Sequence, residues 1–110
     1  MTKYRNRKTE FAGLTFDSAA EARRYGELVI LERVGKIEKL QRQVPIVLVP
    51  GAKLHGAARA RPAIRLVVDF AYVESGAQVF EDTKGFETPA SLIKRHLAKA
   101  LHGIDVRLTA

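Results

Sequence analysis

The stretch that most constrains this chain runs from Leu66 to Lys84 and reads LVVDFAYVESGAQVFEDTK. Two apolar runs rich in β-branched and aromatic residues flank Glu74, Ser75, Gly76 and Ala77, the pattern of a β-hairpin. With Ser75 and Gly76 as a two-residue loop, Glu74 faces Ala77 and Val73 faces Gln78, and the same register sets Asp69 opposite Asp82. Side chains alternate along a strand, so Lys84 shares the face of Asp82 and Glu81 takes the other. One register thus gathers Asp69, Asp82 and Lys84. Two carboxylates opposed across a ladder repel unless something positive lies between them, and both runs are too apolar for a solvated edge. A bound cation with an ammonium beside it satisfies the pattern. An ordinary ion pair of Asp82 with Lys84 is the plainer alternative. A loop shifted to Gly76 and Ala77 would face Asp69 with Lys84 and keep the cluster.

The remainder reads as a single domain over residues 1–110, long enough for a core of its own. Residues 1–12 form a basic arm with Lys3, Arg5, Arg7 and Lys8, and Leu14 and Phe16 are a short extended piece. Asp17 and Ser18 open a helix that runs to about Val34 and stops at Gly35. Ser18 and Glu21 have the capping-box spacing. At about 100° per residue, Glu21 also projects on the side of the stripe Tyr25, Leu28 and Leu31. Glu21 is therefore either a helix cap or an acid aimed along the buried face; Glu32 lies on the same side, near the exposed end. Lys36 to Pro50 reads as strand with an interruption at Pro45. Residues 51–62 form a flexible basic loop carrying Lys53, Arg59 and Arg61, a flap for phosphates or a tolerant surface segment. Thr88 as N-cap and Pro89 at the first helical position begin a second helix. In it Leu92, Ile93, Leu97, Ala100 and Leu101 repeat at helical spacing, with Lys94, Arg95 and Lys99 off that stripe. Gly103 ends it, and Ile104, Val106 and Leu108 alternate as a last strand.

Charge narrows the partner. Nineteen Lys and Arg against twelve Asp and Glu give a formal net charge of +7. That favours a polyanion, nucleic acid more than membrane, with a plain solubility charge as the alternative. No apolar run approaches the ~20 residues that span a bilayer. The first ten residues lack the apolar segment of a signal peptide, and the chain has no cysteine for a disulfide framework or thiolate site. A cytoplasmic location is expected. His55, His96 and His102 lack metal-ligand spacing, and no nucleophile–His–acid set, Gly-rich phosphate loop or internal repeat is present.

The order is helix, strand, strand, strand, helix, strand, with an acid on the first helix and Asp…Asp-X-Lys on the hairpin. This resembles the PD-(D/E)XK, or restriction-endonuclease-like, nuclease superfamily, and more closely a family of small phage and prophage proteins placed within it. The similarity covers nearly the whole chain. It rests on Lys3 and Tyr4, Gly13 before Phe16, Asp17 and Ser18, Glu21 with Ala22, Val68-Asp69-Phe70, Glu81-Asp82-Thr83-Lys84-Gly85, and Thr88-Pro89. Val68 stands where the superfamily's name has Pro. The resemblance implies an α/β (α+β) fold with a restriction-endonuclease-like α-β-β-β-α-β core, a mixed sheet flanked by helices. It implies a Mg²⁺- or Mn²⁺-dependent DNA endonuclease acting in the host cytoplasm. Asp69, Asp82 and Glu21 would hold the metal, and Lys84 would orient the attacking water or offset charge on the phosphate. Structure-specific cutting, as by a junction resolvase, and nicking both fit. Lys3, Arg5, Arg7, Lys8, Lys53, Arg59, Arg61 and Lys94 are the candidate phosphate contacts. RNA offers the same phosphates, and a homodimer is expected if both strands are cut. The rival readings are a non-catalytic basic nucleic-acid-binding module and a structural protein whose charge is a surface property.

Overall fold

A computed structural model describes residues 8–84 and 86–109. Strands β1 (Thr9–Phe11) and β2 (Leu14–Phe16) precede helix α1 (Ala19–Arg33). Strands β3 (Glu38–Val49), β4 (Ile64–Glu74) and β5 (Ala77–Thr83) follow, then α2 (Pro89–His102) and β6 (Arg107–Thr109). From α1 onward this is the expected α-β-β-β-α-β order. β1 and β2 form a separate hairpin, and the other four strands make one sheet in the order β3-β4-β5-β6. β3, β4 and β5 are antiparallel neighbours and β6 runs parallel to β5. The sheet is mixed and the fold is α+β. No helix among the described residues is long and apolar enough to cross a membrane.

Local chemistry accounts for the boundaries. Ser75 and Gly76 both take positive φ, 52° and 79°, the geometry of a primed two-residue turn that matches the twist of its strands. The register is the expected one, Glu74 with Ala77 and Val73 with Gln78. Ser18 Oγ accepts the Glu21 N–H at 3.1 Å to start α1, and Thr88 Oγ1 accepts the Ser91 N–H at 3.0 Å to start α2.

The core is divided along β4. Leu66 and Val68 pack with Ile46 and Leu48 of β3 and Ala98 of α2, whereas Phe70 and Tyr72 pack with Leu28 of α1 and Ile37. Asp69 falls where one cluster gives way to the other.

Four expectations change. Residues 9–11, assigned to the arm, are strand β1, paired with β2 from Thr9↔Phe16 to Phe11↔Leu14; Lys3, Arg5 and Arg7 lie outside the described residues. β3 is not interrupted at Pro45, which pairs with Val67 inside a twelve-residue strand. β3 is an edge strand, where a missing N–H is tolerated. The 51–62 loop is pinched at its base, with Ala52 and Arg61 exchanging backbone hydrogen bonds of 3.1 and 2.6 Å. Gly51 permits that approach, since a Cβ there would lie 2.5 Å from the Arg61 carbonyl oxygen. Finally, α2 meets the sheet through Ala98 and Leu97, and leaves Leu92, Ile93 and Leu101 more than half exposed. A small residue at the contact lets the helix sit close along one seam, too narrow to cover the broader stripe.

Candidate functional site

The backbone ladder joining β4 to β5 ends at Phe70↔Glu81. Beyond it the strands are bridged by side chains. The Asp69 N–H donates to Asp82 Oδ1 and the Thr83 N–H donates to Asp69 Oδ2, each at 2.8 Å. The hairpin thus forks at the two aspartates, and each carboxylate takes the place of a peptide carbonyl. β5 then continues toward β6, pairing Asp82 with Leu108 and Thr83 with Thr109.

That exchange leaves one oxygen on each acid. Asp82 is 2% exposed, and its Oδ2 is buried with no hydrogen-bond partner among the described residues. Lys84 Nζ stands 3.3 Å from it, an ion pair without hydrogen-bond geometry. The expected Asp69, Asp82 and Lys84 cluster therefore exists. Glu81 is committed to the opposite side. Arg24 donates Nε and Nη2 to its two oxygens at 2.7 and 3.0 Å, and the Tyr72 hydroxyl donates at 2.6 Å. This network ties α1 to fully buried Glu81 on β5 and gives both of its oxygens a partner.

Glu21 is 3% exposed at the first turn of α1. Its backbone takes the Ser18 cap, while its carboxylate accepts from Gln43 Nε2 at 3.3 Å. The side chain is thus turned to the sheet. Burial pushes its carboxyl up to about 7, helped by the negative charges of Asp69 and Asp17 and opposed by Arg42 and the Gln43 hydrogen bond. Burial likewise pushes Asp69 up to about 6; the Thr83 N–H pulls it back, Asp82 and Asp17 push it further, and Lys84 opposes them. The Glu32 carboxylate, by contrast, accepts the exposed Leu40 N–H.

Asp69 and Asp82 together offer oxygens of the kind a hard divalent cation takes, and the unpartnered Asp82 Oδ2 is the donor such an ion would satisfy. The residues fit a Mg²⁺ or Mn²⁺ ion. Among the described residues no three His, Cys, Asp or Glu groups gather closely enough to hold a metal as a ready-made set, while Glu21 lies near enough to Asp69 for that charge to raise its carboxyl.

The family described as proteins of unknown function, DUF1064, matches residues 1–110. The chain belongs to the DUF1064 family. No curated protein and no solved structure matches it.

In this DUF1064 chain the basic candidates separate. Arg61 and Lys94 line one cavity of about 590 Å³, with Arg65 beside them and Leu54 and Ile64 as apolar walls. Lys53 and Arg59 stand exposed on the loop, and Lys8 is exposed ahead of β1. Asp17, Arg42, Gln43 and Arg65 were missed by the sequence reading. Asp17 looked like part of the helix start. Arg42 lies 4.1 Å over the Phe16 ring and donates to the Thr15 carbonyl at 3.0 Å. Only the β3–β4 pairing brings it and Gln43 to the site, and that pairing spans the 51–62 loop.

Proposed function

We propose that this protein is a divalent-cation-dependent endonuclease that hydrolyses DNA phosphodiester bonds at the fork of the β4–β5 hairpin. The observation that carries the proposal is the buried Asp82 Oδ2, left without a hydrogen bond beside a second aspartate and an ammonium. A buried acid with an unsatisfied oxygen, next to a second, half-buried one, destabilises a fold unless a ligand repays the cost. Perturbed carboxyls in one place mark a functional site.

Mg²⁺ or Mn²⁺, held by Asp69 and Asp82 with Glu21 beside them, would acidify a water and stabilise charge on the phosphate. Lys84, partly exposed, carries three N–H donors that can orient the attacking water or meet charge developing on phosphate oxygens. Glu21, at about 7, can accept or hold a proton near neutral pH. Arg65 lies four residues before Asp69 on the same face of β4, about 13 Å away at the rise of a strand. The cavity it shares with Arg61 and Lys94 would take the phosphate chain leading to the scissile bond.

The test is incubation with linear, nicked, flapped and four-way DNA in Mg²⁺, Mn²⁺ or EDTA. Cleavage in the metals and none in EDTA is expected, and a preference among substrates separates junction resolution from nicking. DNA binding without cleavage in either metal would leave a non-catalytic binding module. An RNA strand of the same sequence tests the choice of polymer. If both strands are cut, a homodimer is the corresponding assembly, read by ultracentrifugation.

A further inference from the structure

Gln43 has a backbone that its surroundings do not explain. Its φ is 51°, in the left-handed region, which Gly and Asn enter routinely and a long unbranched L residue does not. Three other described non-glycine residues have positive φ. Ala12 and Ser75 lie in hairpin turns, and Lys39 lies inside the register shift between Glu38 and Gln41. Gln43 lies at neither. Arg42 pairs with Phe70 and Val44 with Val68 without a shift, which sets Gln43 opposite Asp69 on the side away from Asp82. Its side chain is spent on one contact, the donation from Nε2 to Glu21 Oε2.

We infer that Gln43 is a positioning residue, held in a strained conformation so that its amide keeps the Glu21 carboxylate aimed at the aspartate pair. The inference rests on the metal-site reading above. An amide suits the task. It donates to the carboxylate without neutralising it, where Lys or Arg would compete with an incoming cation. Left-handed geometry re-aims the side chain, as irregular strand residues commonly do beside active sites. Side chains that orient the groups around a metal typically matter about 10–100-fold in metal affinity.

The experiment is calorimetric titration of Mn²⁺ into the protein without DNA, beside thermal melts, for wild type, Gln43→Gly, Glu21→Gln and the double variant. Glycine adopts the same backbone without strain, so Gln43→Gly should melt at or above the wild-type temperature while binding Mn²⁺ about 10-fold more weakly. In the Glu21→Gln background, Gln43→Gly should change affinity no further, since the contact it serves is gone. Gln43→Gly with wild-type Mn²⁺ affinity overturns the inference. So does a variant that loses stability and affinity in proportion, because Gln43 would then be a structural residue. Wild-type protein that takes up no Mn²⁺ overturns the metal-site reading and this inference together, a different result from the first two.

Discussion

Ionising the buried acids opposes folding, so stability should fall as pH rises through neutrality. The Asp69 carboxyl lies at about 6 against an ordinary 3.8, and that of Glu21 at about 7 against 4.5. The native state therefore keeps these protons to higher pH than the unfolded chain does. Below about pH 4 both states are protonated and the difference vanishes; between the unfolded and native values stability drops with each step in pH; above about pH 7 the loss is complete. At about 1.4 kcal/mol per pH unit, Asp69 contributes up to ~3 kcal/mol and Glu21 a similar amount. The charges around the two acids overlap, so their joint effect is about 3–5 kcal/mol, less than the sum. The lowered carboxyls of Glu87 and Asp105 act below this window. Asp69→Asn removes the charge and keeps an oxygen for the Thr83 N–H. It should exceed the wild type by about 1–3 kcal/mol at pH 8 and match it near pH 4. Urea unfolding followed by circular dichroism in EDTA, in steps from pH 4 to 8, measures both. Adding Mg²⁺ at pH 8 should recover stability in the wild type and less in the variant. Wild-type stability that is flat or rising from pH 5 to 8, with no gain from Asp69→Asn, would refute the reasoning.

Arg24→Ala strips the cation from fully buried Glu81 and should cost about 3–5 kcal/mol, with Glu81→Gln in the same chain recovering much of it; urea midpoints decide. Lys84→Ala should slow single-turnover cleavage at least ~100-fold while binding in Ca²⁺ stays within a few-fold, since the lysine is assigned to the transition state. Cleavage at the wild-type rate would reduce Lys84 to an ion-pair partner of Asp82. Neutralising Arg61, Arg65 and Lys94 together should lower the slope of log affinity against log salt by about 2–3. An unchanged slope would remove their cavity from the DNA path.

The hairpin was legible because period-two patterning and a Ser-Gly turn leave one register, and that register alone separates Asp82 from Glu81. The helix ends were legible from Ser18, Thr88 and Pro89. The β3 side of the site was not. Gln43 and Arg42 reach it through a pairing that skips residues at Lys39 and closes across a loop, and neither leaves a trace in local periodicity. Nor could sequence show which face of α2 the sheet accepts, since Ala98 wins that contact by being small while larger residues nearby stay in solvent. Pro45 read as a break because its tolerance depends on β3 being an edge, a property of the whole sheet.

The fork also provides a reporter. The amides of Asp69 and Thr83 are tethered to carboxylates rather than to peptide carbonyls. Their ¹H–¹⁵N signals should move with the charge on those carboxylates, while Tyr72 and Val79, two rungs turnward of the last ladder pair, stay still. A titration of pH or divalent cation can then be followed at two backbone positions without substrate. Loosening of the hairpin's mouth should register as faster hydrogen exchange at those amides before any rung nearer the turn opens.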